Sequence, residues 1–238
     1  MRPEVFVGDL GAVVDRLVRD FAEEAARALA NRGFFAVALP GGSVAVNAFH
    51  ALAALPLDWR RVHVFWVDER AVPPSDAESN YALAQSLWLG PGGVPAGSIH
   101  RMPADDPDLD AAASAYNAEL IRVLGTPARL DFVLLGVGPD GHVASLFPGR
   151  TALFEERHLV AAVVDAPKPP ARRLTLTLPF LAGAERVVVV AFGESKAEAL
   201  REAIERPDSA LPVALALARA KRPLVLVDHG AAAQLQPI

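Results

Sequence analysis

Apolar residues recur at Leu10, Val13, Val14, Leu17, Val18, Phe21 and Ala25. This three-and-four spacing marks one helix face and predicts a helix over 10–30, stopped by Gly33. The pattern then changes to short apolar runs separated by helical stretches. Strands are predicted at 34–39 (FFAVAL), 61–67 (RVHVFWV), 130–135 (LDFVLL), 159–164, 186–192 (RVVVVAF) and 224–227 (LVLV). Continuous runs of this kind belong to strands covered on both faces. Helices are predicted over 44–55, 79–89, 109–124 and from Gly193 through Glu205. Such alternation implies an α/β fold with a mostly parallel sheet and helices on both faces. No repeat, low-complexity linker or shift in composition divides the chain, so one domain over 1–238 is expected. Ligands of such sheets sit beyond the carboxyl ends of the strands. The loops after Leu39, Val67, Leu135 and Phe192 are therefore where chemistry is expected.

Composition narrows the function classes. The chain has 238 residues, 52% apolar and 21% charged, which is enough apolar surface to exclude general disorder. At this length about 70% of the unfolded surface can be buried. The 28 acids exceed the 23 bases and leave a formal charge of −5. That balance argues against a general nucleic-acid binder, which needs clustered positive charge. No run reaches the roughly 18 uncharged apolar residues of a bilayer span. The opening stretch carries acids where a secretion signal has a basic head, so neither a membrane protein nor a signal peptide is expected. Cysteine is absent, which removes disulfides, thiolate metal sites and cysteine nucleophiles and fits a reducing, cytoplasmic setting. Only Lys168, Lys196 and Lys221 are lysines; with so many arginines, an isolated arginine says little.

Four loops carry candidate chemistry. Pro40-Gly41-Gly42-Ser43 either presents backbone N–H groups to an anion at a helix start or is a tight turn with Ser43 as N-cap. Asp68-Glu69-Arg70 either turns Asp68 and Arg70 toward a ligand or is a solvated charge run, with Ser79 capping the next helix. The loop 136–148 (GVGPDGHVASLFP) formally matches G-x-G-x-x-G at Gly136, Gly138 and Gly141. Pro139 within the motif and Pro148 soon after exclude the long helix that a dinucleotide-binding turn opens. What remains is Asp140-Gly141-His142, an imidazole with a carboxylate two positions away to orient it, hence a candidate base. His50, His63, His100, His158 and His229 lack that setting. Lys196, in the first turn of the helix after the 186–192 strand, opposes the helix dipole by a few tenths of a kcal/mol unless an anion sits beside it. One of Arg172 and Arg173 is expected to be solvated.

These segments resemble a known family. GVGPDGHVASLFPG is similar to the G-x-G-x-D-G-H-[TS]-A-S-L-F-P-G signature of 6-phosphogluconolactonases. WVDERAVPPSDAESNY resembles their D-E-R…V-P…S-N-Y segment, PPARRLTLTLPFLAGAERVVVVAFGESKAEAL their P-P…R-[IVL]-T-L…G-x-x-K region, and ALPGGSVAVNAF their S-G-G-S-T-P loop. The blocks occur in family order from about Leu39 to Leu200. Pro40, Val44-Ala45 and Val143 stand where the family has a polar residue, Thr-Pro and threonine. The resemblance implies a Rossmann-like sheet shared with glucosamine-6-phosphate isomerase/deaminases, and hydrolysis of 6-phospho-D-glucono-1,5-lactone in the oxidative pentose phosphate pathway. It implies no cofactor and no metal, a phosphosugar lactone as small-molecule partner, and a monomer or small homo-oligomer.

A δ-lactone is an activated ester, so water, a base, oxyanion donors and a phosphate anchor suffice. His142 is assigned as base and Asp140 as its orienting partner. Arg70, with backbone N–H groups near Gly138, would stabilise the oxyanion or hold the sugar. Gly41, Gly42, Ser43, Arg173 and Lys196 would hold the phosphate, and Asp68 the sugar hydroxyls. The alternatives are an amino-sugar phosphate isomerase/deaminase, with Asp68 abstracting a proton, and a non-catalytic sugar-phosphate sensor. Those deaminases carry an acid where this chain has Ser145-Leu146-Phe147-Pro148.

Overall fold

The computed structural model describes residues 3–236. Strand β1 (Glu4–Gly8) leads to helix α1 (Leu10–Arg32), capped by the Asp9 carboxylate, which accepts from the Ala12 N–H at 2.8 Å. Then come β2 (Phe35–Leu39), α2 (Gly42–Ala53) and β3 (Val62–Trp66), followed by β4 (Asp68–Arg70) and α3 (Asn80–Ala84). Helix α3 runs on into a π-helical turn (Gln85–Leu89), so the helix expected over 79–89 is present with a wider last turn. Helix α4 (Leu109–Leu124), β5 (Phe132–Leu135), β6 (Val160–Val163), β7 (Arg173–Leu176), α5 (Leu178–Ala182) and β8 (Arg186–Ala191) come next. Helices α6 (Ala197–Glu205) and α7 (Pro212–Arg219) precede β9 (Pro223–Asp228).

Six strands form a parallel sheet in the order β1-β9-β8-β5-β2-β3. Every residue of β2, β5 and β8 is buried, which is why their sequences are continuously apolar apart from Arg186 at the start of β8, which is paired with Asp20. Against one face packs Phe21 of α1, its ring 5.1 Å from Phe35, 5.2 Å from Phe132 and 5.6 Å from Trp88. Truncating such a ring to alanine costs about 3–5 kcal/mol.

Strand β6 does not join this sheet, contrary to expectation. It lies with β7 and β4 in a separate antiparallel sheet of order β4-β7-β6. Val67 joins the two sheets: its N–H donates to the Leu39 carbonyl of β2 and its carbonyl accepts from the N–H of Leu176, the last residue of β7. In the large sheet the chain runs outward from β2 to β3, then returns to β5 on the other side of β2 and continues outward to β8 and β9. The order therefore reverses between β2 and β5, and a crevice opens beyond their carboxyl ends. Among the described residues no helix is long and apolar enough to cross a membrane.

Candidate active site

The loop leaving β5 folds back on itself. Gly138 N–H donates to the His142 carbonyl at 2.9 Å and Gly141 N–H to the Gly138 carbonyl at 3.0 Å. This turn sets the two key side chains together, His142 Nδ1 lying 2.5 Å from Asp140 Oδ1. With the carboxylate ionised the shared proton sits on Nδ1, leaving Nε2 as the basic position of the ring. Burial pulls the imidazole below its ordinary pKa, more strongly than Asp140 pulls it up. Burial raises Asp140, but the hydrogen bond and charge of His142, with help from Lys168, leave it lowered overall. A Cβ on Gly138 would lie 2.0 Å from His142 Nδ1 and 2.4 Å from Asp140 Oδ1. Gly138 thus makes room for the pair. Its own N–H is committed to the His142 carbonyl. Phe147 packs against the imidazole with ring centroids 4.5 Å apart.

The segment after Val67 is not a solvated loop: Asp68, Glu69 and Arg70 form β4. Asp68 is buried, with Oδ1 accepting from Asn80 Nδ2 at 3.1 Å and Oδ2 from Ser145 Oγ at 2.6 Å. A carboxylate has lone pairs beyond these two for a ligand hydroxyl. Glu69 is also buried, which corrects its reading as a solvated charge. Arg70 is held by its Nη1, which donates to the Glu78 carbonyl at 2.6 Å, while its Nε is buried without a partner. Ser79 caps α3 as expected, accepting from Ala82 N–H at 3.1 Å.

The glycine loop closes the crevice on the β2 side. The N-cap of α2 is Gly41, and Ser43 lies within the first turn rather than capping it. No side chain accepts from the leading N–H groups of α2, the arrangement that attracts an anion. Gly41 has to be glycine, since a Cβ would sit 1.8 Å from Asn80 Oδ1. Val44, Ala45 and Val143 are buried; Ala45 and Val143 lie in the core, whereas Val44, like Pro40, also lines the cleft. Of the two arginines, Arg172 is exposed and Arg173 is buried. Arg173 donates from Nε to the Pro170 carbonyl (2.9 Å) and from Nη2 to the Lys168 carbonyl (3.0 Å). Its Nη1 reaches toward Ser145 Oγ (3.4 Å) and Asp68 Oδ2 (4.0 Å). Lys196 is the N-cap of α6 rather than a first-turn residue. Burial and the nearby Lys168 lower its pKa against the pull of Asp140.

Every expected site residue except Asp140 lines a single cleft of about 370 Å³, within the range of small-molecule sites. Asp140 is outside its wall, in contact with His142. Lys168, Asn80 and Ala144 also line the cleft and were not assigned from sequence. Lys168 had a legible signal: two of only three lysines in the chain face this cleft. Arg70, Arg173, Lys168 and Lys196 are thus gathered around one lining carboxylate, Asp68, in a chain of net charge −5. A larger cavity of about 740 Å³, between α4 and β6, has no lysine or arginine in its lining. Its histidine, His158, is exposed and pairs with the half-buried Glu155.

The family model of glucosamine-6-phosphate isomerases/6-phosphogluconolactonase matches residues 8–225. The chain belongs to this family. It is 41% identical over 218 residues to the 6-phosphogluconolactonase of Mycobacterium tuberculosis, covering 87% of this chain and 88% of that relative. It is 39% identical over 232 residues to that of Rattus norvegicus, covering 94% and 89%. The 6-phosphogluconolactonase from Trypanosoma cruzi superposes with a TM-score of 0.89 at 26% identity, over 99% of this chain and 98% of that one. A monomeric glucosamine-6-phosphate deaminase superposes at 0.82 with 21% identity over 97% and 99%, so the scaffold is common to both branches of the family.

Proposed function

We propose that this chain hydrolyses 6-phospho-D-glucono-1,5-lactone to 6-phospho-D-gluconate in the oxidative pentose phosphate pathway, with His142 as general base. The observation that carries this reading is the Asp140–His142 pair placed at a cleft with four cationic side chains. The phosphate is held by the N–H groups of Gly41, Gly42 and Ser43, by Lys168 and Lys196, and by the Nη1 edge of Arg173. Asp68 accepts from sugar hydroxyls. Anchoring the far end of the molecule makes attack at C1 effectively unimolecular, which can lower the barrier by about 7–11 kcal/mol.

Water attacks C1 while Nε2 of His142 takes its proton, and the carbonyl oxygen becomes an oxyanion facing Arg70. The intermediate then collapses: the bond from C1 to the ring oxygen breaks, and the imidazolium returns its proton to that oxygen. One water enters and one open-chain product forms, carrying both the new hydroxyl and the carboxylic acid, which ionises to solvent. Asp140 stays ionised and stabilises the imidazolium formed between the two steps. A positioned base contributes roughly 10²–10⁴-fold.

A deaminase needs a second acid after the histidine loop, and the only acid in the cleft lining is Asp68. In that segment Ser145 donates its hydroxyl to Asp68 instead. The test is NMR observation of the lactone with and without protein, beside an ammonia assay on glucosamine 6-phosphate. Accelerated loss of lactone with no ammonia is expected. Ammonia release without lactone turnover would transfer the chain to the deaminase branch, and saturable binding with neither reaction would make it a sensor.

A further inference from the structure

Glu69 takes no part in the chemistry above, yet it is 4% exposed and fully engaged. Its Oε1 accepts from the N–H groups of Arg70 (2.7 Å) and Asn80 (2.8 Å). Its Oε2 accepts from Ser79 Oγ (2.9 Å) and Tyr81 N–H (2.8 Å). These partners lie on β4 and at the start of α3, so one side chain ties together two elements that both reach the cleft. Asn80 in turn donates to the Asp68 carbonyl at 2.9 Å, and its Oδ1 occupies the space that a Cβ on Gly41 would need.

We propose that Glu69 is a positioning residue that fixes Arg70 and Asn80 in the cleft wall and, through Asn80, seats the glycine loop, and that only an ionised carboxylate can do so. All four partners are donors, and both oxygens accept from two of them. An amide at this site would turn its NH₂ group toward at least one backbone N–H donor in either orientation, and an aspartate would fall one methylene short. A proton on Oε1 would face two N–H donors, and one on Oε2 would reverse the bond with Ser79 Oγ. Burial raises the Glu69 pKa, while the four bonds it accepts pull it down.

The kinetic part of the test rests on the lactonase reading; the structural part does not. In Glu69→Gln, amide hydrogen exchange is expected to speed up in the segment spanning residues 69–81 and to stay unchanged in 136–148. Activity is expected to fall by about tenfold to a hundredfold in kcat/KM, with the acid limb of the His142 profile unmoved. In an Arg70→Ala background the Glu69→Gln loss should shrink several-fold, because the same placement is already lost, whereas general loosening would reduce both backgrounds alike. Should Glu69→Gln fail to fold, Ser79→Ala removes one of the four bonds and should give a smaller loss with the same coupling to Arg70. Unchanged exchange in 69–81, or additive losses with Arg70→Ala, would overturn the proposal. Wild-type protein inert toward lactone would refute the activity instead, leaving the exchange result to decide the role of Glu69.

Discussion

Gly138→Ala isolates the placement of the base from its chemistry. The new methyl carbon would start 2.0 Å from His142 Nδ1, 2.1 Å from Cε1 and 2.4 Å from Asp140 Oδ1. Ordinary contact begins near 3.4 Å, so the imidazole has to retreat by about 1.4 Å. Gly138 is not among the residues with positive φ, so the backbone accepts alanine and the strain falls on the two side chains in front of it. A misplacement of about 1 Å costs on the order of a hundredfold, and complete loss of a base roughly 10²–10⁴-fold. The expected variant keeps its melting temperature within a few degrees and loses at least about a hundredfold in kcat/KM. Combined with His142→Ala it should add little further loss, since both changes remove one contribution. Initial rates with fresh lactone, corrected for spontaneous opening, measure this directly. A Gly138→Ala enzyme of near wild-type rate would refute the placement of His142 as base.

Asp140→Asn removes a charge that raises the His142 pKa. Its kcat/KM should drop and its acid limb should move to lower pH, as pH–rate profiles will show. Lys168→Met and Lys196→Met should each raise KM for the lactone about tenfold or more, the value of a lost hydrogen bond to a charged group, with little change in kcat. Lys221, paired with Glu185 on the surface, is the neutral control. Away from the cleft, His63 Nδ1 lies 2.9 Å from His100 Nε2, and His100 Nδ1 lies 2.8 Å from Glu119. Burial lowers both histidines below their ordinary pKa. The unfolded chain therefore binds protons that the folded pair refuses, and stability is lost as pH falls below the unfolded value near 6.5. Melting temperature should decline from pH 7 to 5, and less steeply in His100→Gln.

The parallel core was legible because strands buried on both faces must be continuously apolar, as in FFAVAL and RVVVVAF. Strand β1 was missed because it is a partly exposed edge strand, EVFVG, with no such run. Strands β4 (DER) and β7 (RLTL) are short, and pairing with each other, rather than local pattern, defines them. That pairing buries Glu69 and sets Arg173 beside Asp68, neither of which a linear reading can show. The contact between His142 and Asp140 was legible because both lie on one turn. The bond from the Gly138 amide to the His142 carbonyl is a property of the folded loop and has no signal in the sequence. His100 looked unremarkable because its partners, His63 and Glu119, are remote in sequence.

The most direct test of His142 as base is the pH dependence of kcat/KM for wild type and His142→Ala, measured on fresh lactone with spontaneous hydrolysis subtracted. A neutral imidazole in a buried setting requires the wild-type rate to fall with acid through a single limb below pH 6.5. The variant should lose roughly 10²–10⁴-fold and show no such limb. Wild-type rates in His142→Ala, or the same limb in both proteins, would contradict it.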